Sequence, residues 1–217
     1  MSRLLEEIEK YQEAFKEKVP VDIRNIMLKA TEDLKELSLN KNALKENDKA
    51  IDFSLPNAVN QTISLSEELK ENNFVVINFY RGVWCPYCNL ELKAFQTIND
   101  ELKSLNAKLI AISPQTPDSS LTTKEKNELA FEVLSDKENK IAKEYGLVFS
   151  LAKELRPIYK QFGIDIESTN QEDSYELPMP ATYIINKNQE IIYSFIDEDY
   201  TKRSEPQTIL DIIRKNS

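Results

Sequence analysis

Phe74-Val75-Val76-Ile77-Asn78-Phe79-Tyr80-Arg81-Gly82-Val83-Trp84-Cys85-Pro86-Tyr87-Cys88 joins a nearly continuous apolar run to two cysteines spaced by two residues. A short run with so little polar alternation predicts a strand covered on both faces. Beyond the cysteines, Leu92, Phe95, Ile98, Leu102 and Leu105 recur at helical spacing, so the pair sits where a buried strand turns into a long helix. There the free N–H groups and the positive end of the helix dipole favour a thiolate, which makes Cys85 the expected attacking sulfur. Cys88, one turn on, is expected to resolve a mixed disulfide by attacking the first sulfur. Pro86 suits the first helical turn, where its missing N–H costs nothing. Trp84 and Tyr87 are expected to form an apolar collar that keeps water from the sulfurs.

Composition narrows the chemistry further. The 217 residues contain no histidine and two cysteines. That removes Cys-His and Ser-His nucleophile pairs, imidazole metal ligands and a histidine base. A zinc half-site also uses the Cys-x-x-Cys spacing but needs two more ligands, and no other Cys or His exists, so no metal and no cofactor is expected. Two cysteines buried only for packing remain the bland alternative. A net charge of −9 argues against a nucleic-acid partner, which would need a basic patch. No apolar run reaches the roughly 20 residues of a membrane span, and Met1 to Val19 lacks the apolar centre of a secretion signal. A cytoplasmic protein without a membrane partner is expected.

Before this stretch, Leu4, Ile8, Tyr11, Phe15 and Val19, then Ile23, Ile26, Met27, Ala30, Leu34 and Leu37, recur as two amphipathic helices, with Pro20 at the first position of the second. Their apolar faces must be covered by the main domain or by a second chain, and a helix-mediated homodimer is the favoured reading. Residues 1–49 are therefore read as a helical extension and polar connector, and 50–217 as the main domain. Within the latter, strands are expected at 51–55, 62–65, 107–113 and 131–134, with a helical segment over 121–130. Two further helices end at Gly146 and Gly163 in left-handed caps. A hairpin of 181–185 and 190–196 precedes a last helix whose start carries Ser204 and Gln207 at capping-box spacing. Strands alternating with helices imply an α/β fold whose central mixed sheet is flanked by helices.

Two further residues are singled out. Pro180, immediately before an apolar strand, stands where a cis peptide could form a tight turn, although a trans proline beginning a strand is the commoner case. Arg81 lies four residues before Cys85, at the exit of the buried strand. Its guanidinium either favours the thiolate at close range or makes a surface ion pair of little worth.

The stretch Asn78 to Leu92 resembles the peroxiredoxin-like branch of the alkyl hydroperoxide reductase and thiol-specific antioxidant family. So do Ile112-Ser113-Pro114-Gln115, Leu134-Ser135-Asp136, Tyr145 to Phe149, Pro180-Ala181-Thr182-Tyr183 and Asp199 to Pro206. The resemblance implies a thioredoxin-like fold and an antioxidant oxidoreductase that reduces a peroxide or disulfide. It also implies recycling by an external thiol reductant, thioredoxin-like or of low molecular weight. Family alignment puts Cys88 in the peroxidatic position, with Cys85 and Arg81 where the family has threonine and proline, and Pro180 where it has an arginine. A dedicated hydroperoxide reductase using Cys88 and a non-catalytic interaction module are the alternatives. Thioredoxin-like proteins carry a cis proline beside the active cysteine, so the resemblance favours the cis form at Pro180 and adds it to Cys85, Cys88, Arg81 and Trp84 as a site residue.

Overall fold

The structure is a computed structural model that describes residues 4–217. In chain order it forms α1 (Leu4–Lys18), α2 (Val21–Glu36), β1 (Ser54–Pro56), β2 (Thr62–Ser64), α3 (Leu65–Glu71), β3 (Phe74–Phe79), α4 (Pro86–Ser104), β4 (Ala107–Ser113), α5 (Pro117–Lys126) and β5 (Glu132–Ser135). There follow α6 (Lys140–Glu144), β6 (Val148–Ser150), α7 (Leu155–Gln161), α8 (Ile166–Asn170), β7 (Glu176–Pro178), β8 (Ala181–Asn186), β9 (Ile191–Ile196) and α9 (Pro206–Asn216). The expected α/β architecture with a mixed central sheet and N-terminal helices is observed.

The sheet order is β5-β4-β3-β8-β9. β3 pairs in parallel with β4 and antiparallel with β8, so the buried apolar run is the central strand. Because side chains alternate along a strand, Phe74 and Val76 face a core shared with Leu92 and Phe95 of α4 and Ile209 of α9. Val75, Ile77 and Phe79 face the opposite core with Leu65, Tyr145 and Tyr183. The dithiol therefore emerges from the most covered strand of the sheet. Gly146 and Gly163 close α6 and α7 at φ +71° and +74°, the left-handed caps expected of them.

Several local expectations are corrected. No peptide bond among the described residues is cis, so Pro180 is trans. The chain stays extended from β7, where Pro178 pairs with Val148, through Met179, whose N–H bonds Leu147 O at 2.8 Å, to Ala181 opposite Phe79. A trans link suits that straight passage between two sheets. The last helix is capped by Glu205 rather than Ser204, and no capping box forms. Ser204 Oγ instead meets Tyr193 Oη at 2.8 Å, and Gln207 donates to Asp211 along the helix. Pro20 is the residue before α2, one position earlier than expected.

The two N-terminal helices differ. Leu4 and Ile8 of α1 are buried in the core beside α4, so its apolar face is covered within the chain. In α2 no residue is fully buried; Ile23, Met27 and Ala30 pack beside α7, while Val21 and Leu28 are about 60% exposed. The polar connector is pinned rather than loose. Asn47 N–H donates to Ile191 O, and Ile191 N–H to Asp48 O.

Candidate active site

The sharp exit from β3 is built by Gly82. Its φ of +153° lies outside the usual range of L-residues, and a Cβ there would stand 2.5 Å from Trp84 Nε1. The turn is tied down by Gln115 Oε1, which accepts from Val83 N–H at 2.7 Å, and by Asn89 Nδ2, which donates to Val83 O at 2.8 Å. Cys85 is then the N-cap of α4, in extended conformation, with Pro86 directly after it. Its Sγ accepts from the N–H of Cys88 at 3.4 Å, as a capping side chain does. The two sulfurs lie near disulfide distance and are free thiols in this structure.

Both cysteines are wholly buried, and each has its own guanidinium. Arg81 Nη2 donates to Cys85 Sγ at 3.5 Å, and Arg203 Nη2 to Cys88 Sγ at 3.5 Å. Arg81 is itself buried. Its guanidinium stacks over Tyr200 at 4.1 Å and Trp84 at 5.2 Å, and donates to Tyr159 Oη. Arg203 is held by the carbonyls of Tyr200 and Lys202 and by Glu91, whose carboxylate comes within 2.8 Å of Arg203 Nε with both side chains about 1% exposed.

Burial alone would push the Cys85 thiol up. The hydrogen bond from Cys88, the charges of Arg81 and Arg203 and the Arg81 hydrogen bond instead hold it well below the usual thiol range. For Cys88, burial and the neighbouring Cys85 thiolate prevail, and its thiol is pushed well up despite Arg203. A hydrogen bond to a charged group is worth about 1.5–3 kcal/mol, against about 0.3–1 kcal/mol for a charge at a helix N-terminus. The guanidinium is thus the larger source of Cys85 acidity, with the helix end adding to it. The arrangement can hold one stable thiolate beside a reserve thiol, the starting condition for forming a disulfide in two steps.

Tyr11 from α1 meets Tyr87 edge-on at 5.1 Å, and Tyr87 meets Tyr200 at 5.6 Å, while Trp84 packs on Tyr159 at 5.6 Å. Between this aromatic wall and α1 lies a cavity of ≈ 440 Å³ reaching Arg81, Pro86 and Phe162. The expected collar of Trp84 and Tyr87 is thus one part of a larger enclosure completed by the N-terminal helix. Pro180 is buried one residue before the start of β8.

Arg203, Glu91, Tyr159 and Tyr200 were not singled out from the sequence. Arg203 lies 115 residues from Cys88 and follows no spacing rule. Glu91 did carry a signal. It shares the buried face of α4 with Cys88, Leu92, Phe95 and Leu102, a stripe where an unpaired carboxylate would be costly.

The AhpC/TSA family model matches residues 47–194. The chain is 34% identical over 104 residues to a putative peroxiredoxin bcp of Buchnera aphidicola, an alignment covering 48% of this chain and 65% of that protein. It is 28% identical over 106 residues to peroxiredoxin Bcp of Escherichia coli, covering 49% and 67% respectively. The match to the first of these relatives thus spans less than two thirds of its length. Among solved structures, peroxidoxin BcpB of Mycobacterium tuberculosis superposes with a TM-score of 0.63 at 19% identity, over 80% of this chain and 99% of the other. A peroxiredoxin-like protein of Aquifex aeolicus gives 0.60 at 15% identity, over 80% and 88%. At these identities the structures establish a shared fold.

Proposed function

The chain belongs to the AhpC/TSA family, and from that premise we propose that it is an antioxidant oxidoreductase that reduces hydroperoxides, its Cys85-Cys88 pair cycling between dithiol and disulfide. The observation that carries this reading is the sealed Cys85 sulfur, fully buried and 3.5 Å from the buried Arg81 guanidinium. A thiolate stabilised in that way is a nucleophile at neutral pH. Its burial favours a small oxidant: Arg81, Trp84, Pro86 and Tyr87, the neighbours of Cys85, line the adjoining cavity, and a hydroperoxide placed there needs less opening of the site than the disulfide of a folded protein does.

In the proposed cycle the Cys85 thiolate attacks the terminal oxygen of ROOH. The S–O bond forms, the O–O bond breaks, and the alkoxide leaves as ROH after taking a proton. Cys88 then attacks the Cys85 sulfur of the sulfenic acid, the S–S bond forms, and hydroxide leaves as water with a second proton. An external thiol reductant restores both thiols. A cytoplasmic setting, where such reductants are plentiful, suits this step. Cys88 as first nucleophile is the second reading, favoured by family alignment and by Arg203 standing as close to it as Arg81 does to Cys85. We further propose that two chains associate through the exposed face of α2, around Val21 and Leu28.

Single-turnover stoichiometry tests the central reading. Reduced protein given one molar equivalent of a hydroperoxide is expected to lose both thiols, gain an intramolecular disulfide and release the alcohol, while an insulin-type disulfide leaves the thiols intact. Thiols that persist in peroxide, or disulfides only between chains, would leave an interaction module as the better account.

A further inference from the structure

Cys85, Cys88 and Glu91, with a ring of tyrosines, share one closed space around the dithiol's two guanidinium partners. The two cations, Arg81 and Arg203, are 3% and 4% exposed, and the one carboxylate among their partners, Glu91, is 1% exposed. Charge buried in this way must balance, because water is not there to screen an excess. We propose that Glu91, by cancelling the charge of one buried guanidinium, limits the dithiol to a single thiolate, which resides on Cys85 at rest and passes to Cys88 when Cys85 is oxidised.

The other groups facing the cluster do not alter the sum: Asp199, which acts on Tyr87, is partly exposed and paired with Lys35 at 3.1 Å. Tyr80 at the end of the β3 side, Tyr11 of α1, Tyr87 of α4, Tyr193 of β9 and Tyr200 are all pushed above the ordinary phenol value, burial being the main cause, and stay neutral. Tyr159 of α7 is a hydroxyl acceptor to Arg81. Asn78 of β3 is uncharged and bonds Thr182 of β8. What remains is two positive charges, one carboxylate and room for one more anion. Burial pushes the Glu91 carboxyl up to about 7 while Arg203 pulls it down, so above that pH it carries its charge.

The sum follows the electrons through the cycle, and in this respect the inference rests on the dithiol reading above. When the Cys85 thiolate is consumed by ROOH, the site is left with an uncompensated positive charge. The departing alkoxide takes the proton of the Cys88 thiol, which becomes a thiolate beside Arg203 and restores neutrality. Attack on the sulfenic sulfur then releases hydroxide, which leaves as water with a proton from solvent. The disulfide state again lacks its thiolate, and the unbalanced charge favours the reduction that regenerates it.

Because Glu91 acts through Arg203, the test reads thiolates rather than activity alone. The ultraviolet absorbance of thiolates is titrated in the reduced, peroxide-free protein and read at about pH 8, above the Glu91 value and below the ordinary thiol range. The native protein is expected to hold one thiolate, Glu91→Gln two, Arg81→Met none because the Arg203–Glu91 pair is already balanced, and the double variant Glu91→Gln/Arg81→Met one again. The disulfide of Glu91→Gln is also expected to be more readily reduced than that of the native protein, since its dithiol form is the more stabilised. Should Glu91→Gln fail to fold with Arg203 unpaired, Arg81→Met, which keeps the Arg203–Glu91 pair, and the double variant, in which one thiolate balances Arg203, still decide the matter. A single thiolate in all variants, or loss of it in the double variant, would overturn the inference. A protein with the expected thiolate counts but no turnover with peroxide would instead contradict the proposed function and leave the charge balance standing.

Discussion

Arg81 is the cation that contributes most to the acidity of Cys85, next after the hydrogen bond from Cys88. A cation 3.5 Å from a buried sulfur has no water to compete with it, so its removal should raise the thiol pKa and deplete the thiolate at neutral pH. Each unit of such a rise costs about tenfold in thiolate. Arg81→Gln is therefore expected to slow alkylation of Cys85 by iodoacetamide at neutral pH by about tenfold or more, and Arg81→Lys to slow it less. The neutral reagent ensures that the arginine does not also attract the probe. A pH profile unchanged in Arg81→Gln would leave the helix N-terminus as the main source of activation. The motif and the position of Arg81 were visible in the sequence, because both lie within a few residues of the cysteines. Arg203 was not, since only the fold brings it from the far end of the chain to Cys88.

At the scale of elements, α4 shows why the strand-turn-helix reading succeeds. One nearly continuous apolar strand, one glycine and one helix with a 3.6-residue stripe leave the chain few other geometries. Short elements were less legible. β6 and β7 are three residues each and gain their structure from pairing with one another, which no local periodicity announces. The capping box at Ser204 failed because its side chains are engaged elsewhere, Ser204 by Tyr193 of β9 and Gln207 by Asp211 one turn along its own helix. The amphipathic pattern of the N-terminal helices was plain, but it could not say which face would be covered and by what. The structure buries Leu4 and Ile8 of α1 and leaves Val21 and Leu28 of α2 in water. If two chains associate there, Leu28→Glu should convert a dimer to a monomer in sedimentation at micromolar concentration without loss of helix content. A native protein that already sediments as a single chain would contradict the association.

The whole molecule joins sheet, helices and N-terminal extension around one enclosure. β3 delivers the dithiol, α9 and the loop before it deliver Arg203, and α1 supplies Tyr11 to the aromatic wall. Leu5 N–H is held by the Glu205 carboxylate at the start of α9, which ties α1 to the segment that carries Arg203. The fold class was written in the order of strands and helices, whereas the enclosure required contacts between segments some 200 residues apart. In the proposed function a guanidinium-stabilised Cys85 thiolate, with Cys88 as its resolving partner, reduces hydroperoxide. The most direct test treats Cys88→Ser and Cys85→Ser with one molar equivalent of hydroperoxide in the presence of a sulfenic-acid trap, and locates the adduct by mass spectrometry. The expected result is an adduct on Cys85 in Cys88→Ser and none in Cys85→Ser; an adduct on Cys88 in Cys85→Ser, with Cys85 unmodified in the other variant, would contradict the account.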